Sequence, residues 1–305
     1  MKFAALVFFA CVAAVSARRA HPYRLKRDDV QTPTDTQVLN VALTLEHLEN
    51  AFYSGALERF SVQDFANAGF QPWVRGRFLQ IAEHEADHVK FLSTALGSDA
   101  TRPCTYSFPY DDVKGFVDLS ATFEQVGASA YTGAAKFISD KDYLTAAATI
   151  LSTEARQAAW VESSVRRGSA WGTAYETPLD FNSAFTLASQ FITECPSTNP
   201  ALPARANPAL NATGDGAPGS KLTLAYDDST SSGDLYAAFL NGQNAIVVPL
   251  SYSKTEVQVP QGLMGYTYLI ITKDKMGLDP EQVVAGPAII NVSLNADDDF
   301  AQVPL

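Results

Sequence analysis

The sequence is poor in three things, and each scarcity excludes something. Basic residues are few: 22 Lys and Arg stand against 33 Asp and Glu in 305 residues, a formal net charge of −11. Binding a phosphate backbone needs clustered Lys and Arg to displace counterions, so a nucleic-acid partner is excluded. Long apolar runs are absent after the N-terminus, where nothing reaches the ~18 residues a membrane helix requires, so no membrane span is expected. Cysteine occurs three times, too rarely for a small disulfide knot. A Gly-rich phosphate loop, a nucleophile elbow and a Cys-x-x-Cys pair are all missing. What is present, 47% hydrophobic and 18% charged residues, suffices for one large domain or two ordinary ones and excludes a disordered chain.

Lys2 precedes an apolar run from Phe3 to about Val15, followed by small residues at Ser16 and Ala17. Residues 1–17 read as a signal peptide, which predicts a secreted protein, extracellular or in a cell wall. Lys26-Arg27 suits a processing protease, so 18–27 is a candidate propeptide. Removing 1–27 leaves 16 basic against 33 acidic residues. Cys11 leaves with the signal. In an oxidising compartment Cys104 and Cys195 are expected to pair, the alternative being two separate buried thiols. Asn211-Ala212-Thr213 and Asn291-Val292-Ser293 are glycosylation acceptors.

The chain changes character midway, predicting a multidomain protein, helical and then β. Residues 28–195 are rich in Ala, Leu, Glu and Phe at three- and four-residue spacing, predicting long helices near 36–59, 72–97, 112–139 and 141–167 and a shorter one near 180–193. Between 196 and 219 five prolines break any regular element, predicting a linker. Residues 220–305 hold β-branched or aromatic runs at 222–226, 235–239, 245–250, 256–259, 266–272 and 288–294, a small β-sandwich of immunoglobulin-like architecture with six or seven strands. Trp73, Trp160 and Trp171 are expected to fill core or interface, and Asp297-Asp298-Asp299 to form a solvated tail.

The chemistry lies in the helix seams. The second long helix aligns Phe78, Ile81, Glu85, His88 and Leu92, and the fourth aligns Ala147, Ile150, Glu154, Gln157 and Val161, in one heptad register. The first carries Leu39, Ala42, Glu46, Glu49 and Tyr53, and the third Val117, Ser120, Glu124, Gly127 and Tyr131. The helical half is therefore a repeated hairpin: Glu-x6-Tyr then Glu-x-x-His, and again Glu-x6-Tyr then Glu-x-x-Gln. Four carboxylates buried toward one axis cost several kcal/mol each unless protonated or paired with cations. Two divalent ions offset that charge, and hard oxygen ligands suit iron or manganese. One Glu from each of two helices and Glu-x-x-His from the others is the di-iron carboxylate pattern of four-helix bundles.

On these residues, and on Leu45-Glu46-His47-Leu48-Glu49 with Phe52-Tyr53 and Cys195-Pro196 through Asn199-Pro200, residues 36–195 resemble the secreted fungal stress-response and plant desiccation-related ferritin-like proteins. The resemblance implies a ferritin-like four-helix bundle. It implies Glu46, Glu85, His88, Glu124 and Glu154 as metal ligands, Glu85 and either Glu124 or Glu154 as candidate bridges, and Tyr53 and Tyr131 as neighbouring or redox-active aromatics. Gln157 departs from the pattern, which places His there. An asymmetric metal pair, a single metal and a metal-free degenerate site therefore stay open, as does whether the protein is an enzyme.

Two rival readings remain. His84-Glu85-Ala86-Asp87-His88 matches the H-E-x-x-H zinc protease pattern, although that chemistry gives no account of the recurrence of Glu46, Glu124 and Glu154. Glu49 is expected at the solvated edge of the site or supporting it rather than as a ligand. The competing function class is a structural or stress-protective protein whose sandwich contacts wall polymers or another protein chain.

Overall fold

A computed structural model describes residues 32–227, 233–250, 253–277 and 279–292. The expected signal and propeptide segments, Ser293 and Leu294, and the acidic triplet at 297–299 lie outside them. Helix α1 (Asp35–Arg59) opens on a capping box in which Thr34 accepts from the Gln37 amide. Helix α3 (Pro72–Leu96) opens on a proline whose missing N–H costs nothing in a first turn, and ends at Gly97, whose φ of 57° suits a residue without Cβ. Asp112 and Asp140 cap α4 (Val113–Ala134) and α5 (Lys141–Trp160). A short α2 (Val62–Asn67) and α6 (Phe181–Ser189) complete the helices. Six residues are too few to show a period, so α2 leaves no sequence signal beyond its Ser61 cap.

The core contacts set the helix directions. Leu39 and Leu43 pack with Leu92 and Leu96, while at the other end Tyr53 stacks on Phe78. Helices α1 and α3 are therefore antiparallel. Tyr131 clusters with Ala147 and Ile150, which makes α4 and α5 antiparallel likewise. The fourth long helix is shorter than expected: from Val161 to Val165 its backbone widens to a π turn, and Arg167, at φ 64°, leaves the helical path before Gly168.

Strands β1 (Thr105–Tyr106) and β2 (Ile192–Glu194) pair beside a disulfide between Cys104 and Cys195. The bond closes a separation of 91 residues, which stabilises the fold by roughly 4 to 5 kcal/mol in the chain-entropy picture.

Seven further strands form two antiparallel sheets. One has the order β3 (Leu210–Thr213), β4 (Lys221–Tyr226), β7 (Glu256–Gln258). The other has the order β6 (Asn244–Pro249), β5 (Tyr236–Asn241), β8 (Gly265–Thr272), β9 (Val283–Val292). They share a core of Leu210, Leu222, Leu224, Phe239, Val257, Leu269, Ile271 and Ile290, so they pack as a sandwich. The predicted linker is shorter than 196–219, because β3 lies within it. A four-residue strand whose one β-branched side chain is Thr213 gave no strand signal. The preceding stretch is tied down, its Asn207 amide donating to Thr186 Oγ1 at 2.8 Å and the Gly286 amide to the Pro208 carbonyl at 2.9 Å. Strand β9 begins before Pro287, earlier than expected, because an irregularity opposite Leu269 and Ile271 accommodates that proline.

The four-stranded sheet is covered on both faces. Strand side chains alternate: Ala237, Phe239, Leu269 and Ile271 enter the sandwich core, while Ala238, Leu240, Tyr268 and Ile270 join the helix-bundle core. Polar contacts cross the same junction. Tyr268 donates to Ser129 Oγ at 2.8 Å, Tyr266 to Glu162 Oε1 at 2.6 Å, and the Gly242 amide to Thr177 Oγ1 at 2.7 Å. Gly172 lies where backbones touch, since a Cβ there would fall 2.6 Å from the Met264 carbonyl oxygen. Trp160 packs on Phe78 as expected of a core residue, whereas Trp73 and Trp171 are 47% and 72% exposed.

A shared core predicts shared unfolding. Leu240→Ala is expected to cost about 2 to 5 kcal/mol and to shift helix and sheet signals together in one calorimetric and circular-dichroism transition. Two separated transitions would show that the halves fold independently.

Candidate metal centre

Heptad spacing on four helices sends one carboxylate from each toward the bundle axis, and packing shuts water out. Glu46 and Glu154 are fully buried, and Glu85 and Glu124 are 1% exposed. Glu46, Glu85, His88 and Glu154 each present one ligand atom to a common point, these atoms lying within 4.8 Å of one another. His88 Nδ1 stands 3.1 Å from Glu85 Oε2, 3.2 Å from Glu46 Oε2 and 3.8 Å from Glu154 Oε1. Four of the five expected ligands thus converge. The fifth, Glu124, is engaged by the Tyr53 hydroxyl, which donates to its Oε1.

The duplicated motif explains the tyrosines. Tyr53 on α1 donates to Glu124 on α4, and Tyr131 on α4 donates to Glu46 on α1. Each copy of Glu-x6-Tyr therefore fixes the carboxylate of the other. At the positions where the copies differ, His88 faces the carboxylates, while Gln157 donates to Glu85 Oε1 at 3.2 Å and lies 3.2 Å from His84 Nδ1.

Glu49, expected at a solvated edge or in support, is 6% exposed. Its signal was its place three residues after Glu46 on the inward seam. Gly127, which the seam contains without an evident role, makes room: a Cβ there would lie 1.9 Å from Glu154 Oε2 and 3.2 Å from Glu49 Oε1. The H-E-x-x-H reading fails on direction. His84 is exposed and does not join the cluster of His88; its Nδ1 stands 3.2 Å from the Gln157 amide nitrogen instead.

Whether the residues suit a metal is decided by what lacks a partner. Both carboxylate oxygens of Glu154 and the amide oxygen of Gln157 are buried without a hydrogen-bond partner. Unpaired buried oxygens are costly, and a cation beside them removes the cost. Carboxylates with one imidazole are a hard donor set that suits iron or manganese, so the residues fit such an ion.

Residues 34–167 match the model of the ferritin-like domain. The helical unit is a ferritin-like domain. The chain is also 30% identical over 183 residues to Protein rds1 of Schizosaccharomyces pombe, an alignment covering 58% of this chain and 44% of that protein. The chain spans less than half of that relative's length.

Within the ferritin-like domain, crowding of acids sets the protonation. Burial, reinforced by neighbouring carboxylates, raises Glu49, Glu124 and Glu154 well above the usual range and lifts Glu85 to about 7. Burial opposes the His88 cation, but hydrogen bonds to Glu46 and Glu85 outweigh it and lift the ring to about 10. These groups bind more protons folded than unfolded, so their contribution to stability falls as pH rises. For Glu85 the fall begins at 4.5 and for His88 it runs from 6.5 to about 10.

The metal-free protein is therefore expected to melt at progressively lower temperature as pH rises from 4.5 toward 10. Divalent metal should restore most at the alkaline end, with release of protons. Calorimetry at a series of pH values, with and without manganese, checks this; melting that rises with pH contradicts it. Gly127→Ala is expected to displace Glu154 and weaken metal binding by roughly 10- to 100-fold, the scale seen when groups supporting a ligand are removed.

Proposed function

We propose that the protein is secreted and that its ferritin-like domain holds one or two iron or manganese ions for reaction with oxygen or peroxide, in a stress-response or desiccation-related role. The observation that carries the metal reading is Glu154, whose two buried oxygens have no hydrogen-bond partner while Glu46, Glu85 and His88 gather around the same point. Those four residues would hold an ion. Glu124 and Glu49 flank them as further acids, and Gln157 offers a neutral amide oxygen. When bound, iron supplies one-electron chemistry, its oxidation from iron(II) to iron(III) being coupled to reduction of oxygen or peroxide.

The chain's own side chains set the stage for that chemistry. Tyr131 and Tyr53 hold Glu46 and Glu124 in fixed orientation, so neither carboxylate needs to reorganise when charge enters the site. The aromatic packing of Phe52, Phe78 and Phe116 closes one end of the bundle against water. Exposed Asn211 and Asn291 on β3 and β9 are available to a glycosylating compartment.

One observation favours a second reading, a non-enzymatic protective or wall-associated protein. Gln157 stands where a second histidine would complete the repeat, and a neutral amide is a weaker ligand than imidazole. Metal analysis after expression with iron or manganese separates the two. Roughly one equivalent or more is expected, reduced strongly in Glu85→Ala and Glu154→Ala and retained in His84→Ala. A content of less than a few tenths of an equivalent, unchanged in Glu85→Ala, overturns the metal reading.

A further inference from the structure

We propose that the cleft where α1, α4 and α6 meet β3 and β9 binds a small neutral molecule with an apolar body and one hydroxyl group. The cleft encloses about 260 Å³. That exceeds the roughly 150 Å³ cavity that accommodates benzene and lies just below the range of drug-sized pockets. Leu48, Phe123, Val126, Leu187, Phe191 and Ile289 form its apolar wall. Its polar side chains are Glu49, Thr122, Gln190 and Asn211. Exposed Gln190 and Asn211 stand at the mouth, and the inner end is Glu49 beside Gly127.

This distribution selects the ligand class. Glu49 is the lining's one ionisable side chain, so no cation awaits a carboxylate or phosphate head, and an anion entering would lose its hydration unrepaid. A hydroxyl both donates and accepts, and it matches a carboxyl in either protonation state. The body of the molecule gains by leaving water for the apolar wall. The cleft is a joint product of both halves of the chain: the helices supply most of the wall, and Asn211, Ala212, Ala288 and Ile289 of the sandwich close the remaining side.

The site has a defined relation to the carboxylate cluster. A Cβ on Gly127 would touch both Glu49 and Glu154, so one glycine and one carboxyl separate the cleft from the buried acids. A bound hydroxyl on Glu49 therefore sits one side chain away from Glu154. The cleft's walls are set by packing alone, so the inference holds whether or not the cluster carries metal.

The test uses the full chain freed of metal, so that it fails independently of the metal reading. Titration calorimetry with octanol and with para-ethylphenol is expected to show saturable binding, with octanoate at least roughly tenfold weaker for want of a cationic partner. Glu49→Leu should weaken octanol by roughly tenfold while leaving toluene unchanged, the loss expected when a buried hydroxyl forfeits its partner. Ala288→Trp should fill the cleft and abolish both. A photoreactive diazirine analogue of octanol gives a readout that needs no variant: labelling of peptides from α4, α6 and β9, competed by octanol, supports the site. No saturable binding, or labelling confined to the exposed surface around Trp73 or Trp171, overturns it.

Discussion

Carboxylates without water govern this molecule. Glu46, Glu49, Glu85, Glu124 and Glu154 are all withdrawn into the interior of one bundle, with the His88 imidazole among them. Such a concentration of acid is tolerable only if protons, hydrogen bonds or cations neutralise it. The surrounding structure answers that demand in detail. Two tyrosines are exchanged between the repeats to tie down a carboxylate each. A glycine on α4 leaves the volume that Glu154 needs. Burial shifts several of the acids toward their neutral forms, which lets the bundle exist metal-free while keeping a site with orphaned oxygens.

The second organising feature is the sheet inserted between two cores. Alternation along β5 and β8 sends successive side chains in opposite directions, so the same strands complete a sandwich on one side and cover the helices on the other. The bundle is consequently not a free-standing module. Its α4 helix meets Tyr268 through Ser129, and the π turn following α5 places Glu162 within reach of both Tyr266 and Arg166. Irregular backbone is found at the junction rather than within the four-carboxylate level of the helices.

Much of this was readable from residue order, for reasons that differ by element. The carboxylate seams were legible because heptad spacing is a rigid consequence of helix geometry, and the repeat made chance agreement improbable. Gly97 and Asp112 marked boundaries through their backbone preferences. Strand β3 and helix α2 were too short to carry a period. The burial of Glu49 and the exposure of His84 depend on rotation about a helix axis by less than one residue's step, which spacing alone does not resolve. The role of Gly127 required knowing where Glu154 points, a relation between α4 and α5 that no local pattern encodes. Likewise the docking of the sheet on the bundle leaves its trace only as strands that are apolar on both sides, a pattern that signals a covered outer face without saying what covers it.

The doubly covered sheet has a practical corollary for dissecting the protein. If the β half were produced without the helices, Ala238, Leu240, Tyr268 and Ile270 would face solvent as a continuous greasy plane on a hydrogen-bonded scaffold, the kind of surface that seeds self-association. Truncation would then report on aggregation rather than on biology. The roles of the β half are better separated by single replacements on its outward-facing side chains in the intact chain.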